Sequence, residues 1–409
     1  MCRPRCGSPV TPTLLDGQAS NPTIAFDSYI LGAHARNHGI YVYAKELLGY
    51  FREMAPQYSV EIAPYVSPGS DNGANQFTAA PGFRPRPTGL LERSRAWRWG
   101  GASMLTTASG ADLVFSPAGT TLYWGRLAPS VVTIHDLIPV MVSTGPKRAN
   151  RLLRFFYWSA AKLSQRVITD SYHSKADLVR LYNVPESKVS VVYLGCDHKS
   201  FNCTPPDPEL QGALLKRLGI IRPYVVHHGV IKGYKNLKRL IQAYRLVLER
   251  NRSLDFDLVL AGPLGWEYDD ILAEATSCEG SRAKVVFTQA LSDEDLAMLV
   301  KGAVVAAIPS LYEGFCLPMV ESMACGTPTI AASSSCLPEI SGGVLRYFDP
   351  VSVEAIAVAL EEVLENETLR KELSEKGRLR AAEFDWRRCA EQTLQVLARS
   401  ACEVRGQGG

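Results

Sequence analysis

Two doubly wound α/β domains are what this sequence predicts, and three observations carry the prediction. Strand-like and helix-like stretches alternate along most of the chain, the pattern that builds parallel sheets covered by helices. The alternation breaks over residues 200–215, where prolines and polar residues read as a linker, and then resumes. The length of 409 residues exceeds one ordinary core and fits two.

In order, "TIAFD" (23–27) reads as a first strand and "IYVYAKELLGYF" (40–51) as an amphipathic helix following Gly39. Further strands are expected in "ADLVFSP" (111–117), "SVVTIHDLIPV" (130–140), "QRVITDSYHS" (165–174) and "SKVSVVYLGCD" (187–197). Each apolar run ends in polar residues or glycine, as buried parallel strands do when their C-terminal loops carry chemistry. Residues 80–104, rich in Pro, Arg, Gly and Trp, read as a long loop or insertion. After the linker come "YVVHHGV" (224–230), "FDLVLAGP" (256–263), "AKVVFTQ" (283–289), "AVVAAIPS" (303–310) and "PTIAAS" (328–333), with helices at 236–248, 293–301 and 319–324. The carboxyl edges of two such sheets can share one cleft.

The stretch "SLYEGFCLPMVESMACGTPTI" (310–330) sets two carboxylates, Glu313 and Glu321, on either side of a helix start. Pro318 suits the first helical position, Gly326 a C′ position and Pro328 a stop. The amides of Gly314, Phe315, Cys316 and Leu317 lead into that start, where unpaired N–H groups and the helix dipole favour an anion. Carboxylates accept hydrogen bonds from hydroxyls, so the spacing fits a ligand reading hydroxyls, phosphate, hydroxyls; a nucleotide sugar is one. A solvated surface helix is the competing reading. "HHGVIKGYKNLKRLI" (227–241) follows a strand and opens a helix, with Gly229 at the turn and Lys232 and Lys235 near the helix start. It fits a diphosphate or a basic solvated face, and it matches neither a Walker loop nor a GxGxxG fingerprint. His135 and Asp136 close an apolar strand, where an imidazole can donate a hydrogen bond or take a proton. Gly39 precedes a helix, where backbone can approach a phosphate.

Composition limits the alternatives. The apolar fraction of 46% and charged fraction of 21% describe a globular chain. The net charge of +3 is uneven: residues 1–200 hold 21 basic and 13 acidic side chains, the remainder 23 and 28. The ten cysteines show no paired metal-ligand spacing, and no apolar run has the length of a signal peptide or a membrane span. A cytoplasmic location is therefore expected. Segment 147–166 mixes basic residues with Phe155, Phe156, Tyr157 and Trp158; it reads either as core aromatics with solvated charges, which is favoured, or as a face for an anionic membrane.

These segments, taken together and in order, resemble the retaining glycosyltransferases of family four. The family hallmark of two glutamates with seven residues between them is matched by Glu313 and Glu321. "PSLYEGFCLPMVESMACGTPTIAASSSCLPEISGG", "VVTIHDLIPV", "VITDSYHSKADLVRLYNVPESKVSVVYLGCD", "GVIKGYKNLKRLI" and "LSDEDLAML" extend the likeness over about residues 23–395. The subgroup resembled most is that of bacterial O-antigen mannosyltransferases. The resemblance implies the GT-B fold: an acceptor domain over 23–199, a nucleotide-sugar domain over 200–380, and a last helix over 381–402 crossing back, with Phe384 and Trp386 as packing anchors.

It further implies that Glu321 binds ribose hydroxyls, Glu313 holds the donor sugar, Lys235 neutralises the departing diphosphate, and His135 meets the donor sugar or the acceptor hydroxyl. Gly314 to Leu317 should lie against sugar and phosphate, and Gly39 near the phosphates. No metal and no cofactor are implied. The expected partners are a nucleotide-sugar donor, with GDP-mannose the best single choice, and a saccharide or lipid-linked acceptor at the inner face of the membrane; no nucleic acid is expected. Three positions depart from the family pattern: Val230 where an arginine is common, and Cys316 and Gln289 where glycine is common. Lys232 is the candidate substitute for the missing arginine. A GT-B epimerase or phosphorylase, and a non-catalytic nucleotide-sugar-binding partner, are the alternatives.

Overall fold

The computed structural model describes residues 21–31, 39–66, 86–87, 110–119, 129–142, 147–278, 282 and 284–407. The 80–104 insertion expected from sequence lies outside these residues, apart from 86–87. The strands are β1 (Thr23–Phe26), β2 (Glu61–Val66), β3 (Arg86–Pro87), β4 (Leu113–Ser116), β5 (Ser130–Thr133), β6 (Arg166–Thr169), β7 (Val189–Val191), β8 (Tyr224–His228), β9 (Asp257–Ala261), β10 (Val285–Phe287), β11 (Val305–Ile308), β12 (Thr329–Ala332) and β13 (Arg346–Phe348). They form two sheets, ordered β3-β2-β1-β4-β5-β6-β7 and β10-β9-β8-β11-β12-β13. Every strand pair is parallel. The strand order reverses between β1 and β4 in the first sheet and between β8 and β11 in the second, and at such reversals diverging loops leave a crevice.

The helices in chain order are α1 (Gly39–Met54), α2 (Ile138–Met141), α3 (Lys147–Leu163), α4 (Tyr172–Tyr182), α5 (Pro208–Leu218), α6 (Leu237–Arg250), α7 (Asp269–Thr276), α8 (Asp293–Lys301), α9 (Leu317–Ala324), α10 (Leu337–Ser341), α11 (Val353–Glu365), α12 (Glu367–Ala381) and α13 (Trp386–Gln407). Central strands such as β4, β5, β8, β9, β11 and β12 are buried at every position, as sheets covered on both faces require. Among the described residues no helix is long and apolar enough to cross a membrane.

The structure corrects several local readings. The 200–215 linker is not structureless: α5 occupies its second half, because Asp207 accepts from the N–H groups of Glu209 and Leu210 and Pro208 takes the first helical position. Helix α9 starts at Leu317, so Pro318 sits one residue inside, where its lack of an N–H still costs nothing. Gly39 is the first residue of α1 and does not merely precede it.

The last helix, α13, returns to the first sheet and packs on α1, β1 and β4. Arg405 clamps Asp112 at 2.8 and 2.9 Å, and Arg166 bonds Glu403 at 2.7 Å. Phe384 and Trp386 are buried at the crossing.

Candidate functional site

The loops after β8 and β11, neighbours at the reversal of the second sheet, hold the first group of site residues. A short 3₁₀ turn, Gly233–Lys235, leads into α6. Asn236 ends it in the left-handed region, at φ 61°, and its side chain donates to the carbonyls of Pro309 (3.0 Å) and Pro350 (2.7 Å), which ties the two loops together. This places Lys235 Nζ 2.6 Å from Glu313 Oε1, with both residues buried. Burial works against the ammonium, and the adjacent Glu313 carboxylate more than offsets it, so Lys235 is held above its usual range. Glu313 is fixed from behind, where its N–H donates to Ser335 Oγ at 2.9 Å.

Gly229 adopts φ +115°, and a Cβ there would meet the Pro318 ring at 3.4 Å, so the turn after β8 lies against the start of α9. Gly39 lies on the same spot from the other domain: a Cβ there would be 3.5 Å from Leu317. Lys232 lies 6.0 Å from the ring centroids of Tyr234 and Trp266. Burial and then the charge of Lys235 lower its pKa, while Asp136 and Glu313 act in the opposite sense. The start of α9 thus has Gly229 and Gly39 packed against it, with Lys235 and Lys232 close enough to each other for their charges to interact, a set that suits a diphosphate.

Glu321 stands one turn into α9, with 20% of its side chain exposed. Burial, then the nearby Asp293 and Asp197 carboxylates, push its pKa up to about 8. His228 lies behind it, Nδ1 at 3.5 Å from Oε2, and its Nε2 bonds Ser322 Oγ at 3.0 Å. Burial and the Lys235 charge push that imidazole down to about 4, so it faces Glu321 uncharged.

Cys316, the residue before α9, is buried at φ 73°, ψ 69°, a conformation a β-carbon resists. Burial first, then the charge of Glu313, raise its thiol pKa. The Phe315 side chain is buried. It packs at 5.3 Å from Phe384 and 6.2 Å from Tyr193, joining the loop to the chain crossing. Only its backbone stays available to the site.

The first domain contributes His135, at the end of β5. Its Nδ1 lies 2.7 Å from Asp170 Oδ2, at the end of β6, and its Nε2 lies 2.8 Å from the Pro117 carbonyl, beyond β4. The ring packs edge-on to Tyr43 of α1, centroids 4.8 Å apart at 85°. Both ring nitrogens are thus engaged by the first domain. Residue 135 meets the second domain through its backbone instead: a Cβ on Gly314 would lie 2.0 Å from the His135 carbonyl oxygen, so only glycine fits there. Asp136 Oδ1 accepts from the Ile138 N–H at 2.9 Å, just ahead of α2, whose N-cap residue is Leu137.

Two contacts beside the cleft were not anticipated from sequence. Tyr312, next to Glu313, donates to Asp177 of α4 at 2.6 Å. Glu339 accepts from the Tyr172 and His173 N–H groups at the start of α4 (2.7 and 2.9 Å) and from the Tyr193 hydroxyl (3.0 Å). Helix α4 of the first domain is thereby held by the second domain on both sides of Glu313. Asp170 was also missed. Its signal was available in the polar "TDS" that closes an apolar strand, the same pattern that singled out His135.

Comparison with known proteins gives a consistent result. Residues 37–200 match the family described as Glycosyltransferase Family 4, and residues 219–380 match Glycosyl transferases group 1. The chain is 30% identical over 274 residues to an O-antigen chain mannosyltransferase B of Escherichia coli, covering 66% of this chain and 70% of that one. It is 31% identical over 290 residues to an MMP alpha-(1->4)-mannosyltransferase of Mycolicibacterium hassiacum, covering 68% and 66%. Among solved structures, Anabaena HepE in complex with UDP and glucose superposes with TM-score 0.70 at 17% identity, over 92% of this chain and 100% of that one. Sucrose-phosphate synthase from Thermosynechococcus elongatus gives 0.68 at 20%, over 92% and 98%. These likenesses establish the GT-B fold.

Proposed function

Because this chain belongs to the glycosyltransferases of family 4, we propose that it transfers a mannosyl group from a nucleoside-diphosphate mannose to a saccharide or lipid-linked saccharide, with retention at the anomeric carbon and without a metal. The observation that carries this reading is the buried Lys235–Glu313 pair, 2.6 Å long, at the reversal of the second sheet and beside the start of α9. Mannose is supported by the names of two relatives, and GDP is the first nucleotide to test.

In this reading Glu321 takes the ribose hydroxyls. The diphosphate lies against the start of α9, Gly229 and Gly39, between Lys235 and Lys232. Glu313 holds hydroxyls of the transferred sugar. An ammonium has three N–H donors, so Lys235 can keep Glu313 and still meet a phosphate. As the glycosidic bond breaks, negative charge grows on the leaving phosphate oxygen, and a fixed cation there stabilises the transition state more than the bound donor. Cations and helix-start amides supply that charge compensation. The first domain is then the acceptor side and the second the donor side.

The test is release of nucleoside diphosphate from a panel of nucleotide sugars, with and without EDTA. GDP-mannose is expected to turn over, and equally well in EDTA. Loss of turnover in EDTA that Mg²⁺ or Mn²⁺ restores would overturn the metal-free part. Turnover of UDP-sugars alone would overturn the choice of GDP.

A membrane-bound acceptor agrees with α3. Phe156, Ala160 and Ala161 are buried, whereas Leu152, Phe155 and Trp158 are exposed alongside Arg151 and Arg154. The aromatics are thus divided between core and surface, unlike the all-core reading favoured from sequence. Sedimentation with vesicles, anionic against neutral, tests it: binding only to anionic vesicles, reduced by Trp158→Ser, is the expected outcome.

A further inference from the structure

The two contacts of His135 ask for more protons than a neutral imidazole carries when Asp170 is ionised; burial raises the Asp170 pKa, and the charge and hydrogen bond of His135 act against that rise. A carbonyl oxygen offers only lone pairs, so the 2.8 Å contact to Pro117 needs a hydrogen on Nε2; an ionised carboxylate likewise needs one on Nδ1 for the 2.7 Å contact to Asp170. The side chain is 11% exposed and that of Asp170 is 2% exposed. Asp170 Oδ1 is buried with no hydrogen-bond partner among the described residues, so His135 is the group that answers the charge of Asp170.

We propose that Asp170 is a positioning residue for the transfer reaction: with the Pro117 carbonyl it holds His135 as a doubly protonated, immobile ring, so that residue 135 meets the donor loop at Gly314 through its backbone. The proposal rests on the transferase reading above. The surrounding groups agree with it. Tyr43 of α1 packs on the ring and bonds Thr133 at 2.9 Å. Ser174 of α4 reaches the His135 carbonyl at 3.5 Å. The charged groups facing the ring are Asp170, from the turn between β6 and α4, and Asp136, on its own loop. From the second domain, Glu313 and Lys232 interact with Asp136, and Lys235 pairs with Glu313.

The sign of the pH dependence follows. Burial opposes the second proton, but the charge and hydrogen bond of Asp170 outweigh it, with the Pro117 bond and Asp136 adding to it, so the ring keeps that proton above the ordinary imidazole range. When the proton leaves, a lone pair faces either a carbonyl or a carboxylate, and the ring turns out of place. Turnover is lost on the alkaline side as pH passes the raised value. Aspartate to asparagine keeps the shape and removes the charge, so burial then dominates and the loss moves to lower pH.

The experiment uses the full chain. Imidazole ¹⁵N resonances, assigned with His135→Gln, report the protonation of both nitrogens at pH 7. In parallel, kcat at saturating donor is followed against pH for wild type and Asp170→Asn, and affinity for the free nucleoside diphosphate checks that the variant is folded. We expect both nitrogens protonated in wild type, an alkaline limb shifted to lower pH in Asp170→Asn, kcat at pH 8 lower by about 10- to 100-fold, as misplacement near reacting atoms costs, and unchanged diphosphate affinity. A singly protonated ring in an active wild-type enzyme, or a pH profile that Asp170→Asn leaves in place, overturns the proposal. A doubly protonated ring in a chain that turns over no donor overturns the transferase reading instead.

Discussion

Two buried cation–carboxylate pairs stand on opposite sides of the cleft, and they are built differently. Lys235–Glu313 joins loops after β8 and β11, and one of the three ammonium N–H groups goes to the carboxylate at 2.6 Å. His135–Asp170 joins loops after β5 and β6, and its cation has only two N–H groups, both taken by the protein. The first pair keeps donors to offer a ligand; the second is closed on itself and passes its order to the backbone. Burial fails against both: in each pair the carboxylate outweighs desolvation of the cation. A buried charge pair is therefore no mark of direct ligand contact; what counts is how many donors remain after the pair is made.

The largest effect is expected from breaking the open pair. Lys235→Ala should lower kcat by about 10²–10³, the usual loss for one such electrostatic group, with a smaller change in donor affinity. It should also destabilise the fold by about 3–5 kcal/mol, because Glu313 is left buried without its partner. The double variant Lys235→Met/Glu313→Gln separates the two effects: thermal melting should recover while turnover does not. Turnover of Lys235→Ala within about threefold of wild type would contradict the electrostatic role, since such a loss is far below the expected range.

Next is the seam between the pairs. Gly314→Ala puts a methyl group where the His135 carbonyl stands, 2.0 Å away, so the donor loop or residue 135 must move. Steady-state kinetics should show kcat down by about 10²-fold, the cost of roughly 1 Å of misplacement, with diphosphate affinity affected less. Unchanged kcat would mean that the two pairs act independently.

Glu321 offers a binding readout on the donor side alone. A carboxylate accepts hydroxyl hydrogen bonds, and burial with Asp293 and Asp197 pushes this one up to about 8, so it is protonated below that pH before donor binds. Binding through the carboxylate must then release a proton below that pH, so affinity for the nucleoside diphosphate should rise as pH approaches 8 and level off beyond it. Calorimetry in two buffers of different ionisation enthalpy measures the proton. Glu321→Gln should remove the part of the pH dependence that is not the ligand's own, and Glu321→Ala should weaken binding by about 10- to 100-fold, the equivalent of one charge-assisted hydrogen bond.

The smallest effects belong to the contacts that hold α4. Tyr312→Phe should cost about 1.5–3 kcal/mol of stability, as one hydrogen bond to a charged group does, and Glu339→Gln, which replaces one of the accepting oxygens that hold Tyr172, His173 and Tyr193 with an N–H donor, should cost at least as much. Both should alter kcat or acceptor KM while leaving diphosphate affinity in place. Differential melting and acceptor titration check this, and a variant that alters diphosphate affinity alone would assign the contact to the donor side.

Much of this protein was decided by local sequence. Apolar runs ending in glycine or polar residues mark parallel strands, because a strand buried on both faces has few polar positions along its length. The two-domain rhythm, the strand cores and the loop-to-helix geometry between Glu313 and Glu321 follow from such short-range rules. Where those rules were overlooked the reading failed locally: Asp207-Pro208 is a helix start inside the supposed linker, the strands expected at 130–140 and 165–174 end early and give way to α2 and α4, and β2, β3, β13 and helices α7, α10, α11 and α12 went unassigned.

Tertiary structure alone decided the partners. Asp170 lies 35 residues from His135 and Glu313 lies 78 from Lys235, and only the parallel order of β5 with β6 and of β8 with β11 makes each pair neighbours. Phe315 reads like a site residue from its place in the chain, yet the crossing at Phe384 turns it into packing. Glu339 caps a helix that precedes it by more than 150 residues. The reason is physical: periodicity and capping are fixed by residues within a turn or two of each other, whereas which donor meets which acceptor depends on how whole sheets are ordered and how the two domains abut.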